Sequence, residues 1–133
     1  MNQSIRSFLP YYTDKFELTS LLDTVPRELK HCPVIRLHDI PLVTLSAKDN
    51  KPYTSTLTIE YTPDNKLVEL HSLKAYLEAF AKQTTYLEQV IDVIYTDLKQ
   101  VIEPSWLKIS LERITVIGLP AMLVIDSKND NAA

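Results

Sequence analysis

Glycine and cysteine are almost absent from this sequence of 133 residues, which contains one of each, Gly118 and Cys32. Loops that wrap phosphate groups need several glycines, because a residue without a Cβ lets the phosphate approach the backbone. A single cysteine excludes an internal disulfide and a zinc site built from several cysteines. His31, His38 and His71 do not have the spacing of zinc ligands, so we expect no metal site.

A large positive charge and a long hydrophobic run are also missing. The formal net charge is -3 and the basic residues are scattered, so the broad positive surface that binds a phosphate backbone is not expected. No apolar run reaches the roughly 18 to 20 residues of a membrane helix, and residues 1–10 lack the apolar block of a signal peptide. We therefore expect a cytoplasmic protein that binds neither nucleic acid nor membrane.

The chain is long enough for one domain, flanked by two less regular segments. Residues 1–41 contain four prolines and predict an irregular N-terminal arm with one short helical stretch within residues 17–23. Residues 42–126 form the predicted domain, and residues 127–133 a polar tail.

Two β-hairpins are predicted, one before and one after a helical region. Residues 42–46 and 54–61 form the first, because apolar and polar residues alternate after a polar connection. Residues 107–116 and 121–125 are rich in β-branched and apolar residues and form the second.

Two helices are predicted between the hairpins. The first begins behind Ser72 as a possible N-cap and ends near Lys82; the second follows Thr85 and is stopped by Pro104. Apolar residues of the second recur at helical spacing and predict a core-facing stripe: Leu87, Val90, Ile91, Ile94, Leu98 and Val101. The order predicts an α+β fold whose helices cover one face of an antiparallel sheet, and the open sheet edges predict an oligomer.

The segment of residues 61–77 resembles the signature motif of the 7-cyano-7-deazaguanine (preQ0) reductases. The positions that fit the motif are Glu69, Leu70, Ser72, Lys74 and Tyr76. His71 and Ala75 depart from it, since the family has lysine at the first and leucine or tyrosine at the second. The resemblance implies a T-fold with the order ββααββ, whose subunits close into a barrel with ligand sites between them.

The resemblance covers about residues 42–125 and implies ligand contacts. Residues 86–88 match the family's Phe-His-Glu, so Glu88 would grip the guanine-like edge of a purine-type ligand, because a carboxylate accepts two parallel N–H bonds. A capping box formed by Thr85 and Glu88 is the alternative that needs no ligand.

The signature motif carries the second set of implied contacts. Glu69, with Leu70, would reach into a neighbouring subunit's substrate pocket, and the alternative is a solvated charge at a strand end. Ser72 and Lys74 are weaker candidates for contacts to the family's cofactor, NADPH, which only the resemblance implies.

The family's reactive groups are missing from the matching positions. Its catalytic cysteine corresponds to Ser46, its proton-handling aspartate to Tyr53, and the histidine of Phe-His-Glu to Leu87. The Arg-Gly-Gly implicated in cofactor binding falls near residues 116–118, which are Val-Ile-Gly. Cys32 lies in the arm and is expected to be buried or inert. We therefore predict no nitrile reduction by the isolated chain.

Three functions remain open. Residues 45–48 resemble the cysteine-free half of the two-module reductases, which favours a non-catalytic module or pseudoenzyme that shares a purine- or pterin-type site with a cysteine-bearing T-fold module or with its own copies. The alternatives are a divergent enzyme that acts on a purine or pterin without cysteine, and an oligomeric scaffold with a vestigial pocket.

Overall fold

The computed structural model describes residues 18–114 and 120–129. Seven strands and two α-helices follow in the order β1 Thr24–Pro26, β2 Ile35–Ser46, β3 Pro52–Thr62, β4 Lys66–Val68, α1 Leu70–Glu78, β5 Thr84–Thr85, α2 Leu87–Ile102, β6 Trp106–Ile114 and β7 Ala121–Asp126. The main sheet has the strand order β5-β2-β3-β6-β7, and β1 pairs with β4 in a separate ribbon. The predicted α+β order is present, with three short strands added.

Both predicted hairpins are confirmed, and the first is longer than expected. β2 and β3 pair in antiparallel register from Ile35 opposite Tyr61 to Leu45 opposite Pro52. The pairing register shifts at a bulge between Leu37 and Ile40, which breaks the alternation that marks a strand in the sequence. β6 and β7 form the second hairpin, whose connection at residues 115–119 lies outside the described residues.

The expected irregular arm therefore contributes to the sheets. Residues 35–41 belong to β2, and β1 pairs with β4 in the register Val25 opposite Leu67. The helical stretch expected in residues 17–23 is one 3-10 turn, Leu18–Leu21, whose Leu18 is buried. Pro41 is compatible with a strand because β5 pairs only with Leu45 and Ser46, so that the backbone of Pro41 faces an edge.

α2 confirms the predicted apolar stripe. Its residues Val90, Ile94 and Leu98 have no exposed surface, and they pack with Leu57 and Ile109 of the sheet in one core cluster. One face of the sheet is therefore covered by helices. Thr58 and Glu60, which alternate with the core residues of β3, lie on the other face, where Glu60 is 3.9 Å from Arg36 Nε and 4.0 Å from Lys108 Nζ.

The predicted caps of both helices are wrong. Glu69, not Ser72, is the N-cap of α1, because its carboxylate accepts bonds from the N–H groups of His71 and Ser72. α1 ends at Glu78 and continues to Lys82 as a 3-10 turn. At α2 the N-cap is Tyr86, which makes no side-chain cap bond, and Thr85 Oγ1 bonds Gln89 Oε1 instead of closing a capping box.

The C-cap of α2 is a non-glycine residue in the left-handed region. Glu103 has φ 47 and ψ 56, and its carboxylate is 2.9 Å from Lys66 Nζ at the surface. Glu103→Gly is expected to raise the free energy of unfolding by about 0.5 kcal/mol, because glycine has no steric penalty in this conformation and an exposed ion pair contributes little. Denaturant unfolding measures the change, with Glu103→Gln as the control that removes only the charge. A lower stability for the glycine variant would contradict the expectation.

Candidate functional site

Five residues lie together at one corner of the sheet, which we call the β2–β3 corner: Thr44, Ser46, Tyr53, Thr85 and Glu88. Ser46 and Tyr53 occupy the positions of the family's cysteine and aspartate. Tyr53 is opposite Thr44 across the hairpin, and Ser46 pairs with Thr85 of β5. Glu88 follows in the first turn of α2. The corner therefore unites three positions, Ser46, Tyr53 and Glu88, that are far apart in the sequence.

Tyr53 spans the corner. Its hydroxyl donates a 3.0 Å hydrogen bond to the carbonyl of Thr85. Burial raises the pKa of the phenol, the nearby Thr44 hydroxyl opposes this, and the negative charge of Glu88 raises it further. Tyr53 is therefore protonated near neutral pH with its proton directed to a backbone carbonyl, and it does not replace a carboxylic acid as a proton donor.

Ser46 has no activating base among the contacts that the structure describes. Its hydroxyl accepts a 3.2 Å bond from the N–H of Lys48, within the turn of the hairpin. A serine hydroxyl needs an adjacent base to become nucleophilic. His38 and His71 instead place Nδ1 at 3.0 Å from the carboxylates of Asp39 and Glu69.

Glu88 is exposed and is not part of a capping box. The capping box with Thr85, which would have occupied the Glu88 carboxylate, is therefore not formed. The Glu88 side chain lies at the corner, where its charge acts on Tyr53.

The signature motif lies elsewhere, at the start of α1. Val68, directly before Glu69, donates its N–H to the hydroxyl of Tyr61 at 3.1 Å, whereas Tyr53 marks the opposite end of β3. Eight residues of extended strand separate the two tyrosines, about 26 Å at roughly 3.3 Å per residue. One chain therefore does not bring Glu69 and Glu88 to the same ligand.

Glu69 is held in place by several hydrogen bonds. It accepts 2.8 Å bonds from the N–H groups of His71 and Ser72, and its carboxylate is 3.0 Å from Nδ1 of His71. The bond from the His71 N–H, then that from Ser72, lowers the pKa of Glu69 below its ordinary 4.5. Ser72 is buried, and its hydroxyl bonds Asp23 N–H and the Glu69 carbonyl, so it has a structural role in the chain.

This lowered pKa predicts a pH dependence of stability. A carboxyl whose pKa is lower in the folded state stabilises fully above its unfolded value, about 4.5, and loses this contribution as the pH falls through the folded value. The melting temperature of wild type is therefore expected to fall more steeply below pH 4.5 than that of Glu69→Asn, which caps the helix without a charge. Parallel curves would contradict the assignment. The difference between the two proteins also cancels the contribution of Asp126, whose pKa is lowered by the Lys128 N–H.

A groove of about 790 Å³ runs beside α1, between this helix and β2. Leu70 and Lys74 line it together with Leu73 and Leu77 of the same helix, and Arg36 and His38 line it from β2. Leu70 is 57% exposed and leaves an apolar surface beside the motif.

Two other expectations concern groups outside the corner. Cys32 is exposed, with Sγ 3.5 Å from the carbonyl of Pro63, so the expectation of burial is wrong. Residues 28–32, which follow β1, are all exposed, so Cys32 lies in a surface segment. Residues 116–118, where the cofactor-binding Arg-Gly-Gly would fall, lie outside the described residues.

Two absences hold for residues 18–114 and 120–129. No three His, Cys, Asp or Glu side chains there are grouped so that they could hold a metal ion. Within the same ranges, no helix has the length and apolar character needed to cross a membrane.

Comparison with known proteins shows the family of the chain. A family model described as QueF-like protein matches residues 52–115. The NADPH-dependent 7-cyano-7-deazaguanine reductase of Alkalilimnicola ehrlichii is 33% identical over 108 residues, which cover 80% of this chain and 84% of the relative. The chain belongs to the preQ0 reductase family.

Other preQ0 reductases match different shares of the chain. That of Sulfurimonas denitrificans is 28% identical over 113 residues, 85% of this chain and 90% of the relative. That of Exiguobacterium sibiricum is 43% identical over 60 residues, which are 45% of this chain but 37% of the relative. The similarity to this second relative is thus higher but limited to a shorter segment.

A solved structure shows the same fold. The archaeosine synthase QueF-Like in the apo form superposes with a TM-score of 0.68 at 14% identity, over 73% of this chain and 95% of that one. At this identity the likeness establishes the T-fold and nothing about the ligand.

Proposed function

We propose that this preQ0 reductase relative is a non-catalytic module that contributes a purine-type binding site at a subunit interface. The observation that carries the proposal is the separation of Glu69 from Glu88. Both occupy ligand-contact positions of the family, yet they lie at opposite ends of β3. A site that uses both carboxylates takes Glu88 from one subunit and Glu69 from another.

The edges of the sheet support an assembly. β5 covers only Leu45 and Ser46, so the backbone of β2 from residue 35 to 43 has no strand partner on that side within the described residues. β7 is the opposite edge and exposes Met122 and Val124. Two free edges on one sheet favour pairing between copies or related modules, head to tail, until a ring closes.

The contents of the β2–β3 corner support the absence of catalysis. Nitrile reduction in the family starts from a cysteine thiolate. Ser46 has a hydroxyl in place of the thiol, and the contacts that the structure describes place no base beside it. Tyr53 directs its proton to the Thr85 carbonyl. We therefore propose a partner module that brings the cysteine and the cofactor, NADPH.

A complementation experiment tests the proposal. The chain is mixed with a cysteine-bearing T-fold module of a preQ0 reductase whose glutamate corresponding to Glu69 is replaced by alanine, and NADPH oxidation is followed with preQ0 as substrate. The chain alone and the damaged module alone are expected to be inactive, and the mixture active. Turnover by the chain alone, or an inactive mixture that still forms a complex by gel filtration, would contradict the proposal.

Ligand binding is tested separately by thermal shift with preQ0, guanine and neopterin on wild type and Glu88→Ala. The absence of a capping box favours a ligand role for Glu88. Glu88→Ala should therefore abolish the thermal shift, and it should lower the melting temperature of the free chain by no more than about 2 °C. No shift with any ligand in the chain or in the mixture would favour an oligomeric scaffold. Product formation without cysteine would favour the divergent enzyme.

A further inference from the structure

The backbone at Glu69 is held by segments that are distant from it in the sequence. The Glu69 N–H donates a 2.9 Å hydrogen bond to the carbonyl of Asp23, in the N-terminal arm. Directly before Glu69, the Val68 N–H donates a 3.1 Å bond to the hydroxyl of the buried Tyr61. Glu69 is therefore anchored to the arm and to β3 as well as to its own helix.

The Ser72 side chain joins the arm to the first turn of α1. Its hydroxyl accepts a 2.9 Å bond from the Asp23 N–H and donates a 2.7 Å bond to the Glu69 carbonyl. A hydroxyl has one proton to donate, so this proton is already used within the chain. Together with the bond from the Glu69 N–H to the Asp23 carbonyl, these bonds close a ring. We call Asp23, Glu69 and Ser72 the arm–motif clasp.

The ribbon of β1 and β4 keeps Asp23 in position. β1 begins directly after Asp23, and β4 ends directly before Glu69. At the other end of the ribbon, Arg27 donates its backbone N–H to the Asn65 carbonyl at 2.9 Å and its Nε–H to the Asp64 carbonyl at 2.7 Å. The ribbon is thus closed by Arg27 at one end and by the arm–motif clasp at the other.

We propose that Ser72 is a positioning residue, which acts through the arm–motif clasp to hold the Glu69 carboxylate where the ligand of a neighbouring subunit meets it. The bonds that this carboxylate accepts come from the first turn of its own helix, so the clasp supplies the link to the rest of the chain. A misplacement of about 1 Å can cost about 100-fold in rate. This role differs from the cofactor contact that the resemblance implies for Ser72. The inference rests on the proposed function for the ligand contact of Glu69.

Ser72→Ala, alone and combined with Glu69→Asn, tests whether Ser72 acts through Glu69. The single variant is expected to lower NADPH oxidation by the mixed complex about tenfold, because the carboxylate is less well placed. In the Glu69→Asn background the same change should alter the rate less than about twofold, because no carboxylate is left to position. The melting temperature should fall by about 4 to 8 °C in both backgrounds, since the Asp23 N–H loses its acceptor. The rates are measured below these melting temperatures.

Titration of the Glu69 carboxyl in the free chain is a second readout, which needs neither ligand nor partner. NMR follows the chemical shift of the Glu69 carboxyl carbon as the pH is lowered. The N–H groups of His71 and Ser72 hold the pKa of Glu69 below its ordinary 4.5, and a looser first turn in Ser72→Ala should raise this pKa towards 4.5.

Ser110→Ala is the matched control for the loss of a buried serine hydroxyl. Ser110 is 5% exposed and lies opposite Thr58, on the face of the sheet that the helices do not cover. Its replacement should leave both the pKa of Glu69 and the rate of the mixed complex unchanged.

Equal losses of rate in the two backgrounds, or an unchanged pKa of Glu69 in Ser72→Ala, would overturn the inference. A wild-type mixture without activity would count against the proposed function alone. The NMR titration would then still decide whether Ser72 holds the Glu69 carboxylate, because it uses the free chain.

Discussion

Replacing Glu69 with asparagine is expected to lower NADPH oxidation by the mixed complex about 100-fold, while the melting temperature of the chain at neutral pH changes by only a few degrees. Asparagine is a good N-cap, so it keeps the bonds to the first N–H groups of α1 that Glu69 makes. It removes the negative charge proposed to bind the ligand in the neighbouring subunit's pocket. The loss of one charge-assisted bond in a desolvated site amounts to about 2 to 3 kcal/mol, which is 30- to 160-fold in rate.

Two further variants make the result specific to position 69. Glu28→Gln removes an exposed carboxylate far from α1 in the sequence and should leave the rate unchanged. Glu69→Ala removes both the cap and the charge, and should lose rate and also about 1 kcal/mol of stability. If Glu69→Asn retained the wild-type rate, Glu69 would be a helix cap only and the shared site would have to be abandoned.

Tyr76→Phe is expected to lower the free energy of unfolding by about 2 kcal/mol. The Tyr76 hydroxyl donates a 2.8 Å bond to Asp97 Oδ2, and neither residue has any exposed surface. The variant leaves a buried carboxyl group with one hydrogen bond fewer, and an unsatisfied buried polar group costs about 1 to 3 kcal/mol. This pair ties α1 to α2, so its loss weakens the packing between the two helices.

Denaturant unfolding with unchanged m-value measures the effect of Tyr76→Phe. Tyr86→Phe removes the hydroxyl of a tyrosine that is 56% exposed and should change stability by less than 0.5 kcal/mol. Asp97→Asn retains an acceptor for Tyr76 and should cost less than Asp97→Ala. A Tyr76→Phe protein as stable as wild type would show that the other interactions of Asp97 suffice.

The outline of the fold could be predicted because it depends on local patterns. Alternation in residues 54–61 and the apolar stripe of α2 are properties of short segments, and both are present in the structure. The length of β2 was missed because Pro41 and the bulge between Leu37 and Ile40 obscure the alternation. Only the pairing with β3 shows that these residues continue the strand.

The caps were wrong for a related reason. Thr85 and Glu88 have the spacing of a capping box, but Thr85 is already part of β5, paired with Ser46, and α2 starts one residue later. Ser72 resembles an N-cap, but the chain enters the helical conformation directly after Glu69. In both cases the neighbouring strand determined where the helix starts, and a local motif contains no information about that strand.

The neighbours of Tyr53 had no signal in the sequence that could have found them. Thr44 is an ordinary strand residue, and only the register of β2 and β3 places it opposite Tyr53. Tyr53 itself was recognised as the position of the missing acid, but its bond to Thr85 depends on β5.

The sequence by itself determined the element order, the family motif in residues 61–77 and the loss of the reactive residues at positions 46 and 53, since these are properties of residue type and spacing. Only the tertiary structure decided that Glu69 and Glu88 lie near opposite ends of β3, that Glu88 is free of a capping box, and that the Tyr53 hydroxyl bonds the Thr85 carbonyl. These facts depend on which distant segments pair and in which register, and pairing between strands is a long-range property that local patterns do not specify.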